Sequence, residues 1–191
     1  KEIYLPETIC EIGEKAFYGI EKVFYNGKAS GNPWSAYNVV CEYFIEDDFA
    51  YSDSTKSCIV GYLGADSVVV IPNTVTAIGE SAFEKCSRLI SIEIPNTVST
   101  IREKAFYDCE NLKSIKLSSK ISSIGYGAFL GCVELSNIEL PETIKTIGGE
   151  GFCGCKSLRK IQLPSKISKL DYATFNSCTK LEIIELPQTI K

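Results

Sequence analysis

The sequence predicts an α/β repeat solenoid that is rich in β-structure, and two observations lead to this prediction. One 23-residue pattern recurs five times between residues 72 and 186 without insertion or deletion. Each unit also contains alternating apolar and polar residues before a proline, as a short strand does, and a compact apolar segment that predicts about one helical turn. A fixed period of this length is typical of solenoids, in which each turn of chain stacks on its neighbours.

The clearest anchor of the pattern is a Phe-x-x-Cys motif. A leucine follows three residues after the cysteine, an isoleucine three residues later, and a proline closes four of the five units. Identical residue types should therefore fall into register when the units stack, which would bury them as continuous apolar ladders. The motif occurs at Phe83/Cys86, Phe106/Cys109, Phe129/Cys132, Phe152/Cys155 and Phe175/Cys178.

Within the first unit the predicted elements follow in a fixed order. Residues 75–78 are expected to be extended, Gly79 to form a turn, and residues 80–86 to make one helical turn with its alanine, phenylalanine and cysteine on one side. Residues 89–94 are expected to form a short strand whose two isoleucines face inward. Pro95 should end that strand because it lacks a backbone donor. Strand, turn and short helix would then repeat as one coil.

The unit "IPNTVTAIGESAFEKCSRLISIEIP", residues 71–95, resembles the leucine-rich repeats of the BspA-like family, also called the Treponema type. The resemblance covers all five units. It implies a right-handed leucine-rich-repeat solenoid. It also implies a cell-surface or secreted protein, because members are commonly found on the surface of bacteria and some parasitic protists, where several act in adhesion to host matrix proteins. It implies no enzyme activity through the repeats.

Residues 1–191 are predicted to form a single leucine-rich-repeat solenoid fragment. Residues 1–23 match part of a regular unit, residues 72–186 hold the five exact repeats, and residues 187–191 begin a truncated unit. Residues 24–71 are interpreted as irregular rungs that continue the solenoid or as a β-hairpin insert, and the alternative is a separate small subdomain. Because the chain starts and stops within a unit, we expect it to be a piece of a longer protein.

The irregular region has strand signals of its own, separated by polar turns such as residues 53–56. Its single tryptophan, Trp34, is either core in an irregular rung or an exposed binding anchor. The strands predicted here are Tyr43–Ile45, Phe49–Tyr51, Cys58–Leu63 and Val68–Ile71.

Composition excludes several classes of function. The 20 basic and 24 acidic residues, with a net charge of −4, are spread along the chain, so we expect no nucleic-acid partner. No apolar run is long enough to span a bilayer, and we expect no membrane insertion by this part of the protein. The chain has no histidine, the commonest general base, and no phosphate-binding loop. We therefore expect no catalytic residue and no cofactor.

Five of the nine cysteines occupy one ladder position, where a thiol fills the core as a small side chain. We expect free, buried thiols, because parallel ladder positions point the same way and disulfides need a specific mutual geometry. A zinc site is not expected with one close pair and no histidine. That pair, Cys153 and Cys155, leaves open a redox dithiol as an alternative. The remaining cysteines are Cys10, Cys41, Cys58, Cys86, Cys109, Cys132 and Cys178.

The remaining candidate site is the surface made by the outward residues of the predicted strands, which we call the strand face. Stacking should place them side by side in a mixed-charge stripe, at about 4.8 Å per rung. We expect the strand face to bind a protein partner, by resemblance a host extracellular matrix protein; the alternative is a structural spacer with no ligand of its own. The oligomeric state is left open. The strand face comprises Ser91, Glu93, Ser114, Lys116, Asn137, Glu139, Lys160, Gln162, Ile183 and Glu185.

Overall fold

The computed structural model describes residues 44–190 and the backbone of three N-terminal strands. These are β1 (Glu2–Leu5), β2 (Lys22–Tyr25) and β3 (Val39–Val40), which form a parallel sheet in that order. Several sequence-based predictions lie outside the described part of the chain: those for Cys10, Trp34 and Cys41, the first residue of the strand predicted at Tyr43–Ile45, and most of the partial unit predicted at residues 1–23.

Residues 44–62 form an antiparallel meander at one end of a long sheet. It consists of β4 (Phe44–Glu46), β5 (Phe49–Tyr51) and β6 (Cys58–Tyr62). Asp47 and Asp48 join β4 to β5 with φ angles of 48° and 64°, and a two-residue type I′ hairpin loop requires positive φ at both positions. Strand β6 pairs antiparallel with β5 on one side and parallel with the first regular unit on the other. The meander is thus joined directly to the stack.

The regular units, each one rung of the solenoid, contribute strands to two parallel faces. One sheet has the order β13-β11-β9-β7, and β15 and β16 form a separate pair from the same positions of the last two units. The other sheet has the order β14-β12-β10-β8 and continues into β6. The strands are β7 (Val68–Val70), β8 (Ala77–Ile78), β9 (Ser91–Glu93), β10 (Thr100–Ile101), β11 (Ser114–Lys116), β12 (Ser123–Ile124), β13 (Asn137–Ile138), β14 (Thr146–Ile147), β15 (Lys160–Gln162) and β16 (Ile183–Glu185).

Both sheets pair equivalent positions of neighbouring rungs. Ile92 lies opposite Val69 and Ile115, and the inward positions of the other sheet pair in the same way. Ile92 and Ile94 are 3% and 2% exposed, which confirms their predicted inward orientation. The amide of Val98 donates to the carbonyl oxygen of Pro95 at 3.0 Å, so a turn begins directly after the strand, as predicted.

The short helix predicted for residues 80–86 is wrong. Among the described residues there is no helix, and each regular unit has a series of turns in that place. Two residues of the first unit, Ser81 and Lys85, have φ angles of 51° and 57°, which a right-handed helix cannot contain. We call this series of turns the arc of each unit; the arcs comprise residues 79–86, 102–109, 125–132, 148–155 and 171–178.

Hydrogen bonds between rungs explain why the arc is not helical. The amides of Phe83 and Lys85 donate to the carbonyl oxygens of Ala105 and Tyr107 in the next unit, both at 2.7 Å. The intervening amide, that of Glu84, donates within its own arc to Ser81 at 3.2 Å. Every second amide is therefore committed to a neighbouring rung, whereas a helix would direct all of them four residues back along the chain.

A stack of aromatic rings runs through the core beneath the arcs. The rings of adjacent phenylalanines are nearly parallel, and Tyr62 of the meander extends the stack at 5.4 Å from Phe83. Phe49 then packs against Tyr62 at 5.3 Å. The meander therefore continues the core of the regular units. The centroid distances are 5.1 Å for Phe83–Phe106, 5.3 Å for Phe106–Phe129, 5.3 Å for Phe129–Phe152 and 5.7 Å for Phe152–Phe175.

Candidate functional site

The strand face consists of two columns of side chains, and successive members of a column come from successive rungs. Residues before the inward isoleucine form one column and residues after it form the other. Ser91 is partly buried, and the other nine residues are exposed. Neighbouring rungs are in direct register, as shown by the pairs Ser91/Ser114, Ser114/Asn137, Glu93/Lys116, Lys160/Ile183 and Gln162/Glu185.

The charges of the strand face largely neutralise one another. Lys116 Nζ lies 2.5 Å from Glu93 Oε1, and Lys160 Nζ lies 2.5 Å from Glu185 Oε1. Exposed pairs of this kind contribute about 0–1 kcal/mol to stability, so their main effect is on the surface potential. Within the described part of the chain, Glu139 is in no ion pair. Three carboxylates and two ammonium groups leave the strand face with one net negative charge.

Two apolar residues that were not predicted extend the strand face by one rung. Val68 and Val70 of β7 lie opposite Ser91 and Glu93, and they are 62% and 75% exposed. Counting one repeat back from Ser91 and Glu93 would have found them, but a run of three valines hides the alternation between inward and outward positions. At the other end of the strand face, Ile183 is 49% exposed. The surface is thus polar in its middle and apolar at both ends.

A shallow groove of about 540 Å³ lies beside the first rungs of this surface. Its lining includes Asp66, Arg88, Ile90 and Lys113. The amide of Ile90 donates to Ser67 at 2.7 Å, which attaches the groove to the rung of Val68. An apolar side chain from a partner could enter here, because Ile90 is 41% exposed and cationic side chains flank it.

The ladder cysteines are structural in their contacts. Three of these thiols donate to the carbonyl oxygen of the phenylalanine in the preceding rung, at 2.9 Å for Cys109, 3.1 Å for Cys132 and 3.2 Å for Cys155. A hydrogen bond with Cys86, followed by burial, raises the pKa of Cys109, and burial raises the pKa of Cys132 and Cys155. Cys178 at the end of the ladder is partly buried, which raises its pKa to about 11.

Cys153 and Cys155 lack the environment of a reactive dithiol. Cys155 is fully buried in the ladder. Cys153 is partly exposed, but burial first and the charge of Glu150 second raise the pKa of its thiol. Reactive cysteines have a lowered pKa in an electropositive setting, so both shifts have the wrong direction for redox exchange. Within residues 44–190, no group of three Cys, Asp or Glu side chains is arranged to hold a metal ion.

A stack of parallel rungs with strand, arc and a leucine ladder defines the class of leucine-rich-repeat proteins. Six copies of the BspA type leucine rich repeat region match residues 66–182, and the chain belongs to this family. This confirms the resemblance drawn from the repeat unit. No match was found among curated proteins. No helix in the described part of the chain has the length and apolar character needed to cross a bilayer.

Solved structures of bacterial repeat proteins are similar to this chain over most of its length. A leucine rich cell surface protein from Faecalibacterium prausnitzii aligns over 96% of this chain and 59% of its own, with 24% identity and a TM-score of 0.75. The Treponema pallidum leucine-rich-repeat protein aligns over 76% and 68%, with 29% identity and a TM-score of 0.68. A Bacteroides ovatus leucine-rich-repeat protein is 31% identical over 78% of this chain and 40% of its own, with a TM-score of 0.66.

Proposed function

We propose that this chain is a non-enzymatic interaction module that binds a protein partner through the strand face together with Val68 and Val70. One observation carries the proposal: outward side chains stand in register on successive rungs, and exposed apolar residues bound a polar centre. Protein interfaces combine apolar anchors with a polar surround that fixes orientation. Proteins of this repeat class typically act through such surfaces, and the rigid ladder would hold the anchors at fixed spacing.

The partner we propose is a host or matrix protein, bound by a cell-surface or secreted parent protein. Membership in the BspA-type family supports this location, as does the similarity to a structure described as a cell surface protein. The weak net charge of the strand face favours a partner held by shape and apolar contact rather than by long-range attraction.

The test is binding of the chain to immobilised collagen, laminin and fibronectin, compared with a variant of the proposed surface. The variant V70K/E139K places two ammonium groups on it, and an anchor lost from an interface costs about 1.4 kcal/mol or more, or tenfold in Kd. The matched control is S168K/E80K, which makes the same charge changes at two exposed residues away from this surface. A lysine already occupies the position equivalent to Ser168 one rung earlier, at Lys145.

We expect saturable binding of one matrix protein, a loss of about tenfold or more in affinity for the V70K/E139K variant, and unchanged binding for the control. Equal loss in both variants would show that net charge alone determines binding, and the site would then not be the strand face.

A structural spacer is the second candidate, and the ion pairs between rungs favour it. The charges of Glu93 and Lys116 neutralise each other, and so do those of Lys160 and Glu185. Such pairing is expected of a surface that serves solubility alone. If the wild-type chain and both variants are equally inert towards the matrix proteins, the spacer becomes the better account. The function would then depend on other parts of the protein.

A further inference from the structure

Two exposed tyrosines lie on the arcs, away from the strand face. Tyr126 is 41% exposed and Tyr172 is 79% exposed. Among the large hydrophobic side chains that are exposed in residues 44–190, these two are the ones that belong to arcs. Exposed tyrosines combine a flat apolar ring with a polar tip, and they commonly take part in recognition.

The two tyrosines belong to a single column that runs along the solenoid axis. The amide of Gly127 donates to Gly149 at 2.9 Å, and the amide of Glu150 donates to Tyr172 at 2.8 Å. Tyr126, Gly149 and Tyr172 therefore occupy equivalent positions of three successive rungs. At the β-sheet spacing, the backbones of the two tyrosines are roughly 10 Å apart.

Gly149 leaves the space between the two tyrosines free of any other side chain. A Cβ at this position would lie 3.5 Å from two ring carbons of Tyr126 and 3.1 Å from the carbonyl oxygen of Tyr172. The ring of Tyr126 thus lies over Gly149, where a side chain at residue 149 would otherwise stand, and Gly149 adjoins the rung of Tyr172. The result is a line of aromatic surface without an intervening side chain.

Charged and hydrogen-bonding groups lie near the two rings. Glu150 accepts a hydrogen bond from the phenol of Tyr126, which raises the pKa of that phenol to about 12. Glu103 lies near enough to contribute to the same shift. On the other side, Asp171 is paired with Lys169 at 2.8 Å. These carboxylates and the Lys169 ammonium group offer hydrogen-bond acceptors and donors beside the rings, which suit the hydroxyl groups of a polar ligand.

We propose that Tyr126 and Tyr172 form a binding platform for a neutral glycan, a straight β-1,4-linked pyranose chain that lies along the solenoid axis. Such a chain is a flat ribbon whose C–H faces can pack on the aromatic rings while its hydroxyl edges reach the carboxylates of Glu103 and Glu150. The carboxylates disfavour sulfated or uronic-acid glycans, because like charges repel. This site is separate from the strand face and does not depend on its proposed function.

The test is isothermal titration calorimetry of the whole chain with cellohexaose and N-acetylated chitohexaose. Maltohexaose, whose α-linked chain curves, and heparin, which is polyanionic, serve as comparison ligands. The variants are Tyr126→Ala, Tyr172→Ala and Tyr172→Phe. The control is Tyr107→Ala, a neighbouring arc tyrosine whose ring is approached by Lys85 Nζ at 5.9 Å from its centroid. Tyr172 is 79% exposed, so its replacement should leave the fold intact.

We expect saturable binding of at least one β-1,4-linked hexasaccharide and weaker or no binding of maltohexaose and heparin. Each tyrosine-to-alanine change should weaken binding by about fivefold to tenfold, as an aromatic contact of about 1 kcal/mol implies. Tyr172→Phe and Tyr107→Ala should bind like the wild type. The absence of saturable glycan binding would overturn the proposal, as would an equal loss of binding in Tyr107→Ala. The proposal would also be overturned if a protein ligand required the two tyrosines while the glycans failed to bind.

Discussion

Positive φ angles recur at two positions of every arc. Glycine occupies three of these ten positions, and the others hold side chains with a Cβ. A non-glycine residue in this conformation costs about 1–2 kcal/mol, because its Cβ approaches the following carbonyl oxygen. The arcs tolerate this cost because the neighbouring rungs supply hydrogen bonds to their amides. The residues with positive φ are Ser81, Lys85, Lys104, Asp108, Gly127, Gly131, Glu150, Gly154, Ala173 and Ser177.

Replacing Ala173 with glycine is expected to stabilise the chain. Its φ of 52° is strained for alanine, and relief of that strain should exceed the added entropy of the unfolded chain, for a net gain of up to about 1 kcal/mol. The free energy of unfolding in urea measures the effect. The control is Ala128→Gly at a fully buried residue without positive φ, which should be destabilised instead. Destabilisation of both variants would contradict the strain argument.

At the scale of the element, strands were predictable and arcs were not. Sequence spacing predicted the inward isoleucines, the ends of the strands at proline and the phenylalanine ladder, because alternation and periodicity are local signals. In the irregular region before the exact repeats it predicted strands at Phe49–Tyr51, Cys58–Leu63 and Val68–Ile71, and the structure confirms these three within one residue. Helix was predicted for the arc because its alanine, phenylalanine and cysteine are at near-helical spacing. The hydrogen bonds from the arc to the next rung leave no signal in the local sequence, so the prediction could not take them into account.

The candidate site shows the same division between local and non-local signals. The outward position of the strand-face residues followed from alternation along a single strand. The ion pair of Lys160 with Glu185 joins different columns of neighbouring rungs, so it depends on side-chain conformations that sequence spacing does not specify. The tyrosine column on the arcs was hidden for another reason: Tyr126 and Tyr172 are separated by Gly149 and fall in a segment predicted as helix.

The chain should lose the most stability when a phenylalanine in the middle of the aromatic stack is replaced. Phe129 is fully buried between Phe106 and Phe152, each at 5.3 Å. We expect Phe129→Ala to cost about 3–5 kcal/mol in the free energy of unfolding. Phe175, at the end of the stack and partly buried, should lose clearly less when changed to alanine. Equal losses at the two positions, measured by urea unfolding, would indicate that the stack does not act as a continuous core.

Residues 44–190 form a series of rungs whose main contacts are with their neighbours, and the antiparallel meander is joined to one end of this series. The register between neighbouring rungs therefore determines both the packing of the core and the arrangement of the surface. It places phenylalanine on phenylalanine, thiol beside carbonyl, and outward residues in columns on the strand face. A solenoid of this kind should accept a whole additional rung, because its stability is approximately a sum over units and their interfaces. It should not accept an incomplete one, because a one-residue shift reverses the side-chain orientation in a strand.

The most direct test of this account is urea unfolding of two insertion variants. The first duplicates residues 118–140, one complete 23-residue unit, after residue 140, and the second makes the same insertion without the copy of Glu134. We predict that the first variant unfolds cooperatively with a midpoint at least as high as that of the wild type, and that the second has a lower midpoint. The same midpoint for both insertions would contradict the claim that rung register determines the fold and its surfaces.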